Sequence, residues 1–256
     1  MKQNQNKLFP QLLSILFCIG VWLLLAYLIG APLILPSPLA VSSEILKLLR
    51  TSSFWLDFLL TFLRVILSFA ISVISGLLLG IASAKYSFVN AFLKFPISVI
   101  RSTPVVALIL PAMFWFTSGI VPVFVAVLMA LPVMTASSYS GFTPSYDTQQ
   151  RLFMAQCKGL PSFLRFWYIK VPAALPSVKA GAEAAFGLCW KVVAAGEVLS
   201  LPKKGAGSLM HTAQVHLETA RLLAVTLILV LACHLTQKAF KLGECLFFCK
   251  KYKKAL

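Results

Sequence analysis

Ionisable side chains occur inside long apolar stretches of the sequence, where a charge is costly unless it faces protein or water. The segment SVKAGAEAAFGLCWKVVAAGEVLS, residues 177–200, carries Glu183, Lys191 and Glu197 among alanines and glycines. Glu183 and Lys191 are eight residues apart, about two helical turns, so a helix would place them on one face. We expect these groups to line a pathway through the protein, whereas Glu197 has the alternative of a structural ion pair with Lys191.

Positive charges outnumber carboxylates in and near these apolar stretches. Arg64 and Arg101 join Lys191 there, against Glu183 and Glu197. An excess of positive charge along a pathway favours small anions, such as a sulfonate, nitrate, carboxylate or phosphonate. The sequence contains no phosphate-binding loop and no grouping of histidine, aspartate, serine or cysteine that resembles a catalytic set. A membrane-embedded enzyme is therefore disfavoured.

The elements that must hold these groups are transmembrane helices. Apolar residues make up 59% of the chain, charged residues only 12%, and the mean hydropathy is +0.89, which an ordinary water-soluble core does not explain. A bilayer core of about 30 Å needs roughly 20 apolar residues for each helix that crosses it. Such stretches lie near 11–30, 61–84, 95–116, 119–139, 173–199 and 218–241. The sequence predicts an all-α membrane protein with six transmembrane helices.

The net charge of +16 could indicate nucleic-acid binding, but the placement of the basic residues indicates membrane topology instead. With a cytoplasmic N-terminus, fourteen Lys and Arg residues, Lys94 among them, fall in inside segments. Only Lys47, Arg50, Lys203 and Lys204 fall in outside segments. This asymmetry predicts that both termini are cytoplasmic, and we expect no nucleic-acid partner.

Four regions follow from this topology. Residues 1–34 hold the first transmembrane helix, whose apolar run is long for a signal peptide and lacks a clear cleavage site. Residues 35–60 form an extracytoplasmic amphipathic segment, in which Ser42 or Ser43 is the predicted N-cap. The core, 61–242, contributes five further helices, and 243–256 is a basic cytoplasmic tail.

Cysteines exposed to the cytoplasm stay reduced, and the pair Cys245 and Cys249 is too small a set for zinc, so we expect neither disulfides nor a metal site.

Glycines and prolines predict where the helices depart from regular packing. Gly76 and Gly80 in the second helix are spaced for a close approach of another helix, although glycine is common in membrane helices generally. The third apolar stretch contains Pro96, Pro104 and Pro111, which remove backbone donors. Such breaks are tolerated in a membrane where protein or a watery cavity covers them. We expect an irregular third span beside the pathway.

The cytoplasmic segment between the fourth and fifth spans, 141–172, is longer than a simple connection requires. Its residues predict a helix over 147–158, a stop at Gly159, and a second helix that is capped by Ser162 and ends before Pro172. The first helix would expose Leu152, Phe153 and Met154 between Arg151 and Lys158. Either it docks on another protein, or it lies flat on the lipid surface with its basic side toward the headgroups.

The spacing of Gly159, nine residues, then Ile169-Lys170-Val171-Pro172 resembles the core of the EAA loop in importer permeases of the ABC transporter superfamily. Other motifs resemble the nitrate, sulfonate and taurine branch of these permeases in the same order along the chain. They are LPSP at 35–38, Thr61-x-x-Arg64, Gly80, Pro104, WFTSG at 115–119, PAALP at 172–176, Gly181, Trp190, Glu197 and GAG at 205–207. The acidic residue and two alanines that name the loop correspond here to Phe153, Met154 and Ala155, so the leading carboxylate is missing.

The resemblance implies a type I ABC importer permease with a cytoplasmic coupling helix in the loop 142–172. It implies cytoplasmic ATPase subunits that bind ATP and Mg, an extracytoplasmic solute-binding protein, and a second permease subunit that we expect to be identical. This chain itself is expected to bind no cofactor and to be a multi-pass protein of the bacterial inner membrane. The expected ATPase-coupling residues are Arg151, Phe153, Met154, Ala155, Lys158, Gly159, Ile169 and Pro172. The candidates for the pathway are Arg64, Arg101, Pro104, Glu183, Trp190, Lys191 and Glu197.

The solute remains open between a small anion and a vitamin precursor, a thiamine- or riboflavin-related molecule that some members of the branch import. A more remote alternative is a secondary transporter that works without ATP. Such a transporter would be expected to show inverted repeats or acidic residues for ion coupling, and the sequence offers only Glu183 and Glu197 for that purpose.

Overall fold

The computed structural model of the chain describes residues 5–143 and 161–252. Over these residues the backbone is helical with short connections and contains no strand. The first six helices are α1 (Gln5–Ile29), α2 (Pro38–Arg50), α3 (Ser52–Lys85), α4 (Ser87–Ser102), α5 (Val105–Trp115) and α6 (Val121–Phe142). The remainder are α7 (Ser162–Arg165), a π-helical segment (Phe166–Lys170), α8 (Val171–Ser200), α9 (Ala206–Val215) and α10 (Thr219–Tyr252). The predicted all-α fold is confirmed for the described residues.

Each of the six predicted spans is helical, although the helices differ in how apolar they are. By length and composition, α3, α6 and the Thr219–Phe240 part of α10 can each cross a membrane, with mean hydropathies of 2.5, 2.0 and 1.9. The pair α4 and α5 counts as a fourth span if it is read as one broken helix, and Leu13–Ile29 in α1 is a shorter apolar helix. The 30-residue α8 lies outside this set, and it is the helix that carries Glu183, Lys191 and Glu197.

Helix α6 lies between α3 and α8 and packs closely against both. Most of its buried side chains are small, and Val125, Ala126 and Ala130 are fully buried. On the α3 side, a Cβ added at Gly76 would lie only 2.6 Å from the Cβ of Met134. On the α8 side, one added at Gly181 would lie 2.5 Å from the hydroxyl oxygen of Ser137. The close approach predicted from Gly76 and Gly80 is confirmed, because only a hydrogen fits at these positions.

The third predicted span is broken, as its prolines indicate. Helices α4 and α5 meet at an angle of 101°, and only Thr103 and Pro104 separate them. Pro104 has a φ of −59° and a ψ of 139°, an extended conformation that ends α4 before α5 begins. Pro96 and Pro111 lie inside helices that continue through them. The break therefore lies at one of the three prolines.

The start of α2 differs from the prediction that Ser42 or Ser43 caps it. The N-cap is Ser37, whose hydroxyl oxygen accepts a hydrogen bond from the Ala40 N–H at 3.3 Å. Pro38 occupies the first helical position, where a missing N–H costs nothing and the fixed φ suits the helix. Ser42 and Ser43 lie within the helix, and their hydroxyls donate to the carbonyls of Leu39 and Ala40.

The expected end of a helix before Pro172 was also wrong. Helix α7 continues through the π-helical segment directly into α8, in which Pro172 is the second residue. A proline inside an α-helix lacks an N–H and collides with the carbonyl of the preceding turn. The wider π-helical turn changes the hydrogen bonding just ahead of Pro172, which allows the chain to stay helical.

Candidate functional site

Glu197 is the centre of a buried polar cluster where the first half of α3 meets the end of α8. Its side chain is completely buried, and its Oε1 lies 2.5 Å from a guanidinium nitrogen of Arg64, whose side chain is 16% exposed. The Thr61 hydroxyl lies 2.8 Å from Oε2, and the Gly207 N–H donates to the same oxygen at 2.9 Å. A buried carboxylate is tolerated when it is paired and hydrogen-bonded in this way.

The same cluster fixes the loop between α8 and α9. The Gly205 N–H donates to the Asp57 carboxylate at 3.1 Å, and the Ala206 N–H donates to the Thr61 hydroxyl oxygen at 2.8 Å. With the Gly207 bond, three successive N–H groups at the start of α9 have side-chain acceptors. These groups have no partner within their own helix, and carboxylates are favourable there. The cluster therefore clamps α9 to α3 and α8.

The partner of Glu197 is thus Arg64 and not Lys191, the residue considered from the sequence. The reason is that Lys191, six residues before Glu197 and so about 1.7 turns away, is exposed on another face of α8. Trp190 is also interior: it is 2% exposed and its ring packs on Phe58 and Phe62. Of the seven pathway candidates, Arg64, Trp190 and Glu197 therefore lie in the packed interior where α3 meets α8.

Two other candidates line a cavity between α6, α8 and α10. Its volume is about 550 Å³, and Glu183, Lys191 and Gln237 are the polar residues that face it. Glu183 and Lys191 therefore share one face of α8, as their spacing predicted. The size falls in the range of small-molecule sites, and the remaining lining is apolar or glycine, including Phe186, Gly187 and Phe240.

A second cavity, of about 310 Å³, lies between α4 and the ends of α3 and α6. Arg101 lines it, together with Lys94 and several polar side chains. Sequence reasoning assigned Lys94 to a cytoplasmic segment and did not connect it with Arg101. The signal was available, because the two cations are seven residues apart and so share a helix face. Pro104, the last pathway candidate, is exposed at the junction of α4 and α5.

The predicted helix over 147–158 and six of the expected coupling residues, Arg151, Phe153, Met154, Ala155, Lys158 and Gly159, lie outside the described residues. The described ends of that loop are close together. Phe142, the last residue of α6, stacks on Phe166 in the π-helical segment, with ring centroids 5.8 Å apart and planes 10° apart. Ile169 is half-buried in that segment and Pro172 is exposed. The loop therefore leaves and re-enters the bundle at neighbouring points.

Comparison with known proteins identifies relatives over most of the chain. A family model described as "binding-protein-dependent transport system inner membrane component" matches residues 76–242. The taurine transport system permease protein TauC of Escherichia coli (strain K12) is 26% identical over 210 residues, covering 80% of this chain and 76% of TauC. The formylaminopyrimidine transport permease protein ThiX of Halalkalibacterium halodurans is 28% identical over 201 residues, 78% of each chain. The inward-facing MetNI methionine ABC transporter gives a TM-score of 0.46 at 20% identity, covering 73% of this chain and 93% of that one.

Proposed function

The chain belongs to the family of binding-protein-dependent transport system inner membrane components, the permease subunits of ABC importers, and on that premise we propose that it conducts a small anion. It is a transport component of a membrane and not an enzyme. The proposed solute is a sulfonate, nitrate, taurine or a similar molecule. In the proposed assembly, two copies of the chain form the pathway, an extracytoplasmic protein delivers the solute, and cytoplasmic ATPase subunits bind ATP and Mg.

The observation that carries the choice of an anion is the charge of the two cavities. Lys191 lines the first, and Lys94 and Arg101 line the second, whereas Glu183 is the only carboxylate among the described lining residues. Positive groups in low-dielectric surroundings raise the local concentration of anions and oppose cations. Taurine, which the name of one relative specifies, carries a sulfonate.

The proposed orientation puts the Glu197 cluster at the extracytoplasmic end and the Arg101 cavity toward the cytoplasm. Thr61 of the cluster and Ser83 of the cavity are both in α3, 22 residues apart. At 1.5 Å per residue this separation is about 33 Å, close to the thickness of a bilayer core of about 30 Å. Both termini are then cytoplasmic, in agreement with the excess of Lys and Arg on that side.

Coupling to the ATPase is proposed to pass through the loop 142–172. Because Phe142 stacks on Phe166, the two ends of the loop would move together when an ATPase subunit pulls on it. A Cβ added at Gly141 would lie 2.8 Å from the Ala174 carbonyl oxygen, so α6 and α8 are also in close contact just inside the loop. Motion at the loop would therefore move α6 and α8 as a rigid pair.

Replacing Gly159 with glutamate is expected to reduce the ATPase rate, measured with solute and binding protein present, to its unstimulated level. The new carboxylate and side chain would lie at the proposed contact with the ATPase. The measurement is phosphate release by the reconstituted complex, together with the amount of ATPase subunit that co-purifies. Lys203→Gln, which changes the net charge equally on the opposite side, is the control and should keep full stimulation. Unchanged stimulation in Gly159→Glu would contradict the coupling role of this loop.

Replacing Lys191 with glutamine is expected to lower ATP-driven uptake of ethanesulfonate into proteoliposomes at least about tenfold, because a hydrogen bond to a charged group contributes about 1.5–3 kcal/mol. Arg50→Gln removes an exposed cation outside both cavities and should leave uptake unchanged.

Uptake of a neutral formylaminopyrimidine in preference to ethanesulfonate would instead favour the vitamin-precursor alternative. Uptake by the chain alone, without ATPase and ATP, would favour a secondary transporter.

A further inference from the structure

The second cavity, between α4 and the ends of α3 and α6, is lined by residues suited to bind an oxoanion. Lys94 and Arg101 line it, and no carboxylate does so among the described residues. Among the described residues neither cation has an ion pair, whereas Lys47, Arg64 and Arg221 each pair with a glutamate. Both side chains are partly exposed, and two uncompensated cations beside one small cavity repel each other. An anion in the space between them would relieve this repulsion.

Helix α4 is turned so that its charges face this cavity. Asn90, Lys94, Ser98 and Arg101 all line it, and their spacing of four, four and three residues keeps them on one helix face. The opposite face carries Phe88, Phe92 and Phe95, which are 78%, 68% and 77% exposed and suited to lipid. The amphipathic pattern of α4 therefore directs two cations toward α3 and α6 rather than into the bilayer.

Neutral hydrogen-bond donors complete the cavity. The Asn90 amide donates to the Tyr139 hydroxyl oxygen at 3.2 Å, which leaves the Tyr139 O–H free to donate to a ligand. Ser83 also lines the cavity and is 5% exposed, and its hydroxyl makes no hydrogen bond to any described residue. Thr135, by contrast, already donates to the Leu131 carbonyl at 2.8 Å. Two hydroxyl donors and two cations are a donor set that suits a sulfonate or phosphate group.

We propose that this cavity binds the oxoanion group of a small ligand, with Lys94 and Arg101 as charged donors and Ser83 and Tyr139 as neutral donors. The volume of about 310 Å³ accommodates a small organic sulfonate or the phosphate of a lipid headgroup. The donor set is the same for both sources. The identification of the ligand as a solute in transit, close to its point of release, rests on the proposed function. The binding of an oxoanion group in this cavity does not depend on transport.

The test is equilibrium binding of radiolabelled ethanesulfonate to the assembled transporter in phosphatidylcholine nanodiscs, without ATP and without binding protein. We expect saturable binding that weakens at least tenfold in Arg101→Gln and in Lys94→Gln. Ser83→Ala should weaken binding by a smaller factor. Lys85→Gln is the matched control. Lys85 is an exposed cation near Ser83 at the end of α3, and its ammonium lies over the Tyr86 ring, outside the cavity. It should bind like the unmodified chain.

A second arm distinguishes the two sources of the anion. Nanodiscs that contain phosphatidylglycerol are compared with those that contain phosphatidylcholine alone, and retained lipid is counted by native mass spectrometry. Competition by phosphatidylglycerol, with retention lost in Arg101→Gln, supports the same site with a headgroup as occupant. Binding of neither probe, or binding that Arg101→Gln and Lys94→Gln leave unchanged, overturns the proposal.

The outcome is separable from that of the proposed function. If the unmodified complex binds ethanesulfonate through Arg101 but shows no ATP-driven uptake, the proposal that the protein imports such anions is contradicted, whereas the proposed oxoanion site is supported. If uptake is ATP-driven but binding does not depend on Arg101 or Lys94, only the site is wrong.

Discussion

Replacing Glu197 with alanine is expected to lower the free energy of unfolding by about 3–5 kcal/mol, the usual cost of removing one partner of a buried ion pair. The substitution leaves the Arg64 guanidinium, the Thr61 hydroxyl and the Gly207 N–H without their shared acceptor. Each of these donors is buried or nearly so, and an unsatisfied buried donor costs its full desolvation. The measurement is reversible unfolding in mixed detergent micelles, followed by circular dichroism.

Glu218→Ala is the matched control for this prediction. Glu218 also pairs with an arginine, Arg221, at 3.2 Å, but its side chain is 49% exposed and that of Arg221 is 40% exposed. Exposed pairs contribute little, typically below about 1 kcal/mol. A second control removes both charges of the buried pair. The double variant Arg64→Met, Glu197→Met should be less destabilised than either single variant.

The loop that the cluster holds offers a local readout. Lys203 and Lys204 are already exposed and lie between Glu197 and the start of α9, so release of the loop should free their backbone to enter the trypsin active site. Glu197→Ala is expected to be cleaved there faster than Glu218→Ala. Equal stability and equal cleavage in the two variants would show that the cluster does not anchor the loop.

The family was predicted from motifs that resemble it in order along the chain. The sequence was sufficient to predict the helices, because a bilayer imposes a length and an apolar composition that can be counted residue by residue. It also predicted the shared face of Glu183 and Lys191, which depends only on the helical repeat. These are properties of single segments. They do not depend on which segment packs against which.

What the sequence could not predict are contacts between distant residues. The Arg64–Glu197 pair joins residues 133 positions apart, and the acceptor for the Gly205 N–H is Asp57, 148 positions away. Asp57, Thr61 and Arg64 do share a face of α3 by spacing, and this was the available signal for a polar cluster. The sequence alone could not show that Glu197 in α8 is the partner of this cluster, because that contact depends on how α3 packs against α8. The continuation of α7 into α8 was missed for a different reason, because a π-helical turn has no simple sequence signature.

Replacing Gly80 is expected to separate α3 from α6, with an effect that grows with the size of the new side chain. A Cβ at this position would overlap the Ser138 Cβ and lie 2.9 Å from both the Thr135 carbonyl oxygen and the Tyr139 nitrogen. Two of these three obstacles are backbone atoms, which no side-chain rotation can move. Overpacking of this kind costs about 1–3 kcal/mol or more. Gly80→Leu should cost more than Gly80→Ala and reduce the yield of folded protein.

Gly20→Ala separates this effect from the intrinsic helix preference of alanine. Gly20 lies within α1, and a Cβ there would meet nothing within 4 Å. Alanine is favoured over glycine in a helix by about 1 kcal/mol, so Gly20→Ala should be neutral or stabilising. Gly80→Ala should be destabilising in the same detergent unfolding assay, because the contact with α6 outweighs that preference. Adding Ser138→Gly removes the side-chain obstacle but not the backbone ones, so it should restore only part of the loss. If Gly80→Ala were as stable as Gly20→Ala, α3 and α6 would not be held at the close distance on which the central packing of the bundle depends.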